Sequence, residues 1–418
     1  MSIFYISSNG CDENTGLTPE TAWKTVEKVN SSLCAGDTAK FRCGDTFYGS
    51  LKLPHGQSEN CRTQVTSYGE GAKPVISQYK KAKACGWEKY ADGIFRLDLT
   101  NVDNFCGNTI DMDCGVGFIK VSGKIYYKNR PCLEDLCDPW DFFNDGKYVY
   151  IKQDICPADL SDDILFACNI KMIQPRNFIE IIGISFLGTG GHGCQGVMCG
   201  THISDCDFCE IGGSFMYNEH GQMTRTRYGN GFECWTDSKN VLVENCHFSD
   251  IYDVAMSIQG WKCTTNWENI VFRNNTVFRC TQAFEIWTKT EKRGTGIVNC
   301  SFENNICSQS GYGWGYLARP DKDQACHLLM YHRECDICDM HIHGNTFIDA
   351  RNCVIFKNGG AAELPHDYKI YDNTIIHSSQ KPIVFRWGGT DENDYTLYEK
   401  EIIKNNRYFE IPDFEKQT

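Results

Sequence analysis

Two short strings centred on Glu233 and Glu285 combine residue types that could do chemistry. They read Gly-Phe-Glu-Cys-Trp and Ala-Phe-Glu-Ile-Trp, so each glutamate precedes a tryptophan, Trp235 or Trp287, by two positions. Residues i and i+2 of a strand share a face, so Glu and Trp would point outward while the residues between them point inward. A carboxylate pair beside indole rings suits cleavage of a glycosidic bond, in which one carboxyl group protonates the leaving oxygen. We therefore predict Glu233 and Glu285 as catalytic, with Trp235 and Trp287 stacking on sugar rings.

The segment between the two strings, residues 252–260, predicts one more strand. On that strand Ser257 and Gln259 would face outward, and Asp253 would stand at its start. Neighbouring strands lie ~4.8 Å apart, which puts Glu233 and Glu285 roughly 9–10 Å from each other. Inverting glycosidases hold their carboxyl groups ~6.5–9.5 Å apart and retaining ones ~5–5.5 Å. The pair favours inversion, and Asp253, a third predicted catalytic residue, could instead approach either glutamate to the retaining distance.

A further set of polar side chains could hydrogen-bond sugar hydroxyls or an acidic group of the substrate. Besides Gln259, the set comprises His220, Tyr228, Asn230, His327, Lys289, Lys357 and Arg386. Each of these residues taken alone is more often structural than functional. The eleven histidines show no metal-ligand spacing, and no phosphate loop or nucleophile elbow is present. The sequence therefore predicts no metal and no cofactor.

The charge balance limits the classes of partner. The chain has 418 residues, with 54 acidic against 41 basic ones and a formal net charge of −13. Because phosphate groups require a positive surface, we expect neither nucleic acid nor an anionic membrane as a partner. No apolar run approaches the ~18 residues of a membrane span. The first residues lead directly into a strand pattern without a basic and apolar leader, which favours a cytoplasmic location.

The 25 cysteines are an unusual feature of the composition. Their odd number and the length of the chain do not suggest a small disulfide framework, and we predict free thiols packed as small apolar groups in a reducing cytoplasm. Two Cys-x-x-Cys pairs begin at Cys206 and Cys335. Neither has a second pair at a zinc-ribbon distance, so we interpret both as structural.

A repeat dominates the chain after about residue 176. Its frame is two alternating apolar residues followed by Asn or Asp, then by Asn or Cys, and its anchors are Ile184, Cys206, Cys246, Asn275, Asn305, Asn345, Asn373 and Asn406. Consecutive anchors are separated by 22, 40, 29, 30, 40, 28 and 33 residues. A basic coil of 22 to 30 residues predicts a three-sided parallel β-helix, with the anchor amides stacked and bonded from coil to coil.

The two spacings of 40 residues contain insertions. They correspond to residues 210–231 and 308–327, and both follow the same turn of the coil. We therefore expect both segments to rise on one side of the stack and to flank the strands of Glu233 and Glu285. Insertions on one face of a repeat protein commonly build its binding site.

The first 78 residues add a resemblance to a known group. The matching stretches are 5–10, 15–19, 23–25, 36–37, 41–42, 44–47, 68–69 and 73–76, together with Asp12. In these stretches the chain resembles right-handed parallel β-helix proteins of the pectate-lyase-like superfamily. The resemblance implies that an early helix, running here from about Thr18 to Leu33, covers the open end of the stack.

Residues 79–170 have a different pattern, with hairpin-like strands joined by Asp-Gly and Ser-Gly-Lys turns. The resemblance implies a small β insertion of the kind that β-helix glycosidases often carry. We therefore predict an all-β chain in three parts: 1–78 as cap and first coils, 79–170 as the insertion, and 171–418 as the main β-helix with the site.

These observations predict a glycoside hydrolase that acts on oligosaccharides, with exo action because the long segments would close a pocket. One alternative is a polysaccharide lyase or uronate epimerase, for which Arg225, Arg227, Lys289, Arg293 and Arg319 would supply a base or neutralise a carboxylate. The other is a β-helix that binds glycan without catalysis. The sequence leaves a homo-oligomer open.

Overall fold

Three long parallel sheets form the body of the protein. The structure is a computed structural model that describes residues 1–99, 102–103, 115–217, 223–319, 324–357, 368–378, 385–387, 390–392 and 403–411. The chain passes through the three sheets in turn and pairs its strands in parallel with their counterparts in the next coil, except that Thr390–Glu392 pairs antiparallel with Phe385–Trp387. This confirms the predicted right-handed parallel β-helix.

Sheets 1 and 2 begin in the first coil of the stack, and sheet 3 begins at Cys194. Sheet 1 contains Ile3–Ile6, Thr38–Arg42, Thr63–Tyr68, Ile179–Ile182, His202–Ser204, Lys239–Glu244, Trp267–Arg273, Gly296–Glu303, Ile337–His343, Tyr368–Tyr371 and Ile403–Lys404. Sheet 2 contains Thr46–Tyr48, Val75–Ser77, Ser185–Thr189, Asp207–Ile211, His247–Ile251, Thr276–Phe278, Ile306–Ser310, Thr346–Ala350, Thr374–Ser378 and Arg407–Ile411. Sheet 3 contains Cys194–Gly196, Phe232–Cys234, Val254–Cys263, Gln282–Thr290, Cys326–Glu334, Cys353–Lys357, Phe385–Trp387 and Thr390–Glu392.

The inward face of every sheet contributes to one apolar core. Equivalent positions of successive coils stack directly on each other, as Phe186, Phe208 and Phe248 do with ring centroids 5.1 and 5.0 Å apart. Several cysteines, among them Cys194 and Cys234, are buried in the same core. Because the inward positions are apolar along the whole stack, the outward positions are free to carry chemistry.

The turn from sheet 1 to sheet 2 explains the paired Asn residues of the repeat. The first residue of each pair, such as Asn274 or Asn304, has a φ of 56° or 55°, a conformation that Asn tolerates better than most residues. The second residue forms the ladder: Asn305 Oδ1 accepts from the backbone N–H and the side-chain amide of Asn275, at 2.9 and 3.0 Å. The same bonds recur from Asn305 through Asn345 and Asn373 to Asn406, which confirms the predicted column.

Replacement of Asn305 by alanine is expected to lower the free energy of unfolding by about 3 kcal/mol. The side chain is fully buried, and its loss removes the acceptor of the Asn275 N–H and the donor to the carbonyl of Phe272. Oδ1 of Asn345 loses one of its two donors and keeps the backbone N–H at position 305. Urea unfolding measures the change. The neighbouring exposed Asn304→Gly is the control and should cost less than about 0.5 kcal/mol, because glycine accepts the same positive φ. Equal losses in the two variants would contradict the ladder argument.

The predicted N-terminal helix is divided into two. A short 3-10 helix, Pro19–Thr21, is capped by Thr18, and an α-helix, Val26–Ser32, is capped by Thr25. The residues between them are extended, because Trp23 exchanges backbone hydrogen bonds with Tyr5 and Ser7. Val26 and Val29 of the α-helix join the core of the stack. Covering of the open end by this helix stays a prediction.

The segment after Ser77 leaves the stack and returns at its end. One antiparallel sheet contains Tyr79–Ala82, Val102–Asp103, Val116–Val121, Lys124–Tyr126 and Ile164–Cys168. A second contains Trp87–Ala91, Ile94–Asp98, Phe142–Asn144 and Tyr148–Lys152, and short helices lie at Leu133–Asp135 and Pro157–Leu160. These sheets have a core of their own, and on this basis we propose residues 79–170 as a separate unit.

The two long segments of the repeat lie beside this unit. The first forms a hairpin of Ser214–Tyr217 and Met223–Tyr228, and the second contains the helix Trp314–Ala318. Trp314 packs on Phe118 of the antiparallel unit at 4.7 Å between ring centroids and also on Tyr252 of the stack. Within the described ranges no helix has the length and apolar character that crossing a bilayer requires.

Candidate active site

A single column of outward positions on sheet 3 holds both predicted glutamates. The strand register pairs Glu233 with Ser257 and Ser257 with Glu285, so the glutamates lie two coils apart with the serine between them. Gln195 precedes the column and Leu329 follows it. The flanking Phe and Cys or Ile residues of both strings point into the core, as the alternation predicts.

A cavity of about 530 Å³ lies over this column. The first long segment contributes Thr226, Arg227 and Tyr228 to its wall, and the second contributes Arg319 and Gln324. Both long segments therefore stand on the same side of the stack, where the repeat spacings place them. They cover the strands that would otherwise be a solvated face.

Glu233 is buried on the floor of the cavity, with 2% of its surface exposed. Its Oε2 accepts a hydrogen bond of 2.6 Å from Nδ2 of Asn230, whose Oδ1 in turn accepts from the N–H of Val254. Gln195 also hydrogen-bonds the carboxyl group. Burial raises the pKa of Glu233 to about 7, against the opposing effect of these two amides and with support from the negative charge of Asp253.

Glu285 is almost as deeply buried, at 9% exposure, and has fewer groups that favour its charged form. Its Oε2 accepts a 2.7 Å hydrogen bond from Nε2 of Gln259. Burial raises the pKa of Glu285 well above its usual range, and the charges of Asp253 and Glu233 raise it further. We therefore expect Glu285 to hold a proton at neutral pH.

Asp253 stands at the start of the middle strand and forms an ion pair with Arg319. Burial opposes the charge of Arg319, but the charge of Asp253 and its hydrogen bond outweigh it, so the pKa of Arg319 is raised. The second long segment thus delivers a cation to the carboxyl cluster. Three acids and two arginines, Arg227 and Arg319, line the cavity.

A strip of indole rings extends the site along the strands. The rings of Trp235 and Trp287 lie 6.0 Å apart, on either side of the Gln259 strand. Trp261 stacks on Trp287 at 5.6 Å and is 42% exposed, so the strip leads from the cavity to the surface. Flat apolar rings at this place suit the apolar faces of sugars.

Not all of the second set of predicted residues reaches the cavity. Tyr228 lines it, and its hydroxyl donates to Asn169 at 2.7 Å. His327 does not line it: the ring is fully buried, bonded to Ser310 and packed on Phe347. Lys289 lies beyond the strip, with Nζ 4.5 Å from the centre of the Trp261 ring.

The remaining predicted residues concern parts of the chain that the structure describes incompletely or not at all. Arg386 and Lys357 lie on strands of sheet 3, where Arg386 pairs with Phe356, but their side chains lie outside the described part. His220 lies outside the described residues altogether.

His192 and Gln195 belong to the site but were not among the predicted residues. His192 Nδ1 accepts a 3.1 Å hydrogen bond from the N–H of Asn230, so the ring proton is on Nε2. Burial lowers the pKa of His192 to about 3, with help from Lys171. The ring is therefore neutral, and its 3.7 Å approach to Glu233 is not an ion pair.

A signal for both residues exists in the sequence. Gln195 follows the anchor Ile184 by eleven positions, and Ser257 follows the anchor Cys246 by the same number. His192 is surrounded by glycines, of which Gly193 passes so close to the next coil that a Cβ would lie 2.3 Å from the carbonyl oxygen of Gly231. Such a glycine cluster indicates close packing of backbone beside a site.

Solved structures similar to this chain include XylC in complex with xylose, with 11% sequence identity and a TM-score of 0.54, over 98% of this chain and 82% of XylC. A glycoside hydrolase is similar at 10% identity and a TM-score of 0.46, over 99% of this chain and 95% of its own. A GH136 lacto-N-biosidase from Eubacterium ramulus is similar at 11% identity and a TM-score of 0.40, over 98% and 68%. No protein-family model and no curated protein sequence matches the chain. The similarity to XylC supports the parallel β-helix fold.

Proposed function

We propose that the protein is a glycoside hydrolase that acts on oligosaccharides. The observation that carries the proposal is the pair of buried glutamates in one column of sheet 3, on the floor of a cavity walled by Trp235 and Trp287. Burial of an ionised carboxyl group costs free energy and raises its pKa. Carboxyl groups with raised pKa values in a cleft are typical of general acids. The similar XylC was solved in complex with xylose, which agrees with a saccharide substrate.

The two glutamates have different environments and, in this proposal, different roles. Glu285 is the general acid, because burial and two neighbouring negative charges keep its proton in place. Glu233 is the general base, because Asn230 and Gln195 donate hydrogen bonds that favour its charged form. Asp253 acts through its charge, which raises the pKa of Glu285, while Arg319 keeps that charge in position.

The spacing along the column supports inversion of the anomeric centre. Two steps of ~4.8 Å separate Glu233 from Glu285, which leaves room for a water molecule beside the sugar. Retention of the anomeric configuration is the alternative. The strand that follows Asp253 is a direct neighbour of the strands of both glutamates, and Asp253 acting as the nucleophile would give retention. The cavity is covered by both long segments, and on this basis we propose exo action. Buried thiols such as Cys194 and Cys234 agree with a reducing cytoplasm as the location.

A substrate screen tests the proposal. The wild type and Glu285→Gln are incubated with aryl glycosides and natural oligosaccharides, and reducing ends, unsaturated-uronate absorbance and the anomer first released are measured together. New reducing ends without absorbance, lost in Glu285→Gln, are the expected result. The partly exposed Glu268→Gln, on sheet 1, is the control and should keep wild-type activity.

A lyase or epimerase is the second candidate, because Arg227 and Arg319 line the same cavity as the three acids. In that case a cation neutralises the substrate carboxylate and a proton is removed from the neighbouring carbon. Absorbance that survives Glu285→Gln would favour this candidate over the hydrolase. Binding of oligosaccharides without any turnover would leave a non-catalytic glycan-binding β-helix.

A further inference from the structure

A second cavity, of about 720 Å³, lies beside the candidate active site. Its wall is formed by residues 127–131 of the antiparallel unit, by the hairpin of the first long segment and by the end of the helix Trp314–Ala318. Arg227 and Arg319 line both cavities and so form the partition between them. In the hydrolysis proposed above, only Arg319 of this second cavity has a role, through its ion pair with Asp253.

The lining of the second cavity is rich in basic side chains, although the chain has a net charge of −13. Its lining contains five cations, namely Lys128, Arg130, Arg225, Arg227 and Arg319, and a single acid, Asp135. Three of the cations have carboxylate partners behind the wall, in the pairs Lys128–Asp138, Arg130–Asp141 and Arg319–Asp253. Arg225 and Arg227 contact no carboxylate within the part of the chain that the structure describes. The cavity therefore has an excess of positive charge.

Arg227 is the unusual member of this group, because it is a buried cation whose partners are all neutral. Its guanidinium donates to four backbone carbonyl oxygens, those of Gly213, Tyr127, Ala318 and Gly117, at 2.6 to 3.1 Å. Burial lowers the pKa of Arg227, since its charge is not neutralised. Buried charges are normally paired, so an anion in the adjoining cavity would supply the missing partner.

Arg319 adds an unused donor to the same partition. One of its terminal nitrogens binds Asp253, whereas Nε is buried and has no acceptor among the described residues. A carboxylate or sulfate group offers several oxygen acceptors to such donors, and arginine is the side chain that matches their geometry.

The contact with the partition, the glutamate column and the tryptophan strip follow one another along the strand Val254–Cys263 and the residue before it. Asp253, which contacts the partition, precedes the column position Ser257, the strip position Gln259 and the exposed Trp261 on the same strand. At ~3.3 Å per residue the distance from Asp253 to Trp261 is roughly 26 Å. A saccharide along this line would have cations at one end, the carboxyl pair in the middle and bare indole rings at the other end.

We propose that the basic cavity binds the acidic group of an acidic sugar unit, either the carboxylate of a uronic acid or a sulfate ester. The neutral units of the same oligosaccharide then lie across the glutamate column and on the tryptophan strip. This inference rests on the proposed function, because it names the substrate class and the orientation of the chain in that site.

Binding to full-length Glu285→Gln tests the inference without turnover. Titration calorimetry compares digalacturonate with its methyl ester, and N-acetylglucosamine 6-sulfate with N-acetylglucosamine. At least one acidic sugar is expected to bind ten times or more tightly than its neutral counterpart, because each bond to a charged group is worth about tenfold. Which of the two pairs shows the difference distinguishes a carboxylate from a sulfate ligand. Equal affinities within both pairs would overturn the proposal.

Arg225→Gln, added to Glu285→Gln, locates the effect. Arg225 is exposed and lines only the second cavity, so the substitution should leave folding intact, as a thermal melt would check. It is expected to weaken the acidic sugar about tenfold and leave the neutral one unchanged, whereas Arg42→Gln, an exposed arginine of sheet 1, changes neither. Inorganic sulfate that binds as tightly as the sulfated sugar would mean an adventitious ion only.

The outcomes separate this inference from the proposed function. Selective binding of acidic sugars without hydrolysis by the wild type would uphold the basic cavity and overturn the hydrolase. Hydrolysis of neutral glycosides with no preference for acidic ones, and no effect of Arg225→Gln, would uphold the hydrolase and overturn the cavity.

Discussion

Glu285→Gln is expected to lower kcat on natural oligosaccharides by about 10³-fold, the usual size of a general-acid contribution. The glutamine keeps the hydrogen bond from Gln259 but has no proton to give to the leaving oxygen. An aryl glycoside with a strongly acidic leaving group needs little protonation, so its turnover should fall far less. Steady-state kinetics on the two substrate types measures the difference.

Glu233→Gln gives the matched comparison. Its turnover should fall by about 10³-fold with both substrate types, because the base is needed whatever the leaving group is. Added azide should restore part of the activity on the aryl glycoside by attacking in place of the activated water. Equal losses in Glu285→Gln on both substrates would contradict its role as the acid, and an unchanged Glu233→Gln would move the role of base to Asp253.

The same substitution of Glu233 is expected to stabilise the protein by up to about 3 kcal/mol above pH 7. The unfolded chain releases this proton near the ordinary pKa of 4.5, whereas burial holds it in the folded chain up to about 7. The stability of the protonated form is therefore complete below the unfolded pKa and is lost as the pH rises through 7. Glutamine does not titrate, so the gain should appear between pH 5 and 8 in urea unfolding.

Glu244→Gln is the control with the opposite sign. Burial raises the pKa of Glu244, but hydrogen bonds from Arg273 and His202 outweigh it and lower the pKa overall. The variant should therefore be less stable than the wild type at neutral pH, and the difference should shrink as the pH falls. A stability difference for Glu233→Gln that is the same at pH 5 and pH 8 would show that its burial in the folded chain is not as described.

The fold could be predicted because its determinants are local and repeated. Each coil needs one residue that tolerates positive φ, as Asn274 and Asn304 do, followed by one that bonds to the next coil. Because of this requirement, Asn-Asn pairs recur in the sequence once per coil, and the repeat can be recognised from them. The N-terminal helix was predicted as one piece because its interruption at Trp23 depends on a distant pairing with Tyr5, which no local pattern records.

The register of the site could also be predicted, but not its environment. Fixed offsets from the anchors place Glu233, Ser257 and Glu285 in one column, and alternation directs them outward. Their burial depends on how the two long segments and the antiparallel unit pack over that face, which the local sequence does not specify. The burial of His327 could not be predicted for the same reason. It ends a long segment and was expected at the site, but its side chain is buried against Phe347.

The two long segments have a consequence for how such a protein could change its specificity. Both begin after a sheet 2 strand, in whose second-to-last residue, Glu210 or Gln309, φ is 56° or 53°. Asp250 and Asp349 have the same conformation in coils without an insertion. The coil resumes after each insertion with its core positions in phase, as the pairing of Phe232 with Met256 and of Phe284 with Leu328 shows. Segment length is thereby uncoupled from the integrity of the stack. The two segments that surround the glutamates can therefore be exchanged without disturbing the strands that carry them. Grafting other segments at these two places offers a route to new substrates with the same catalytic residues.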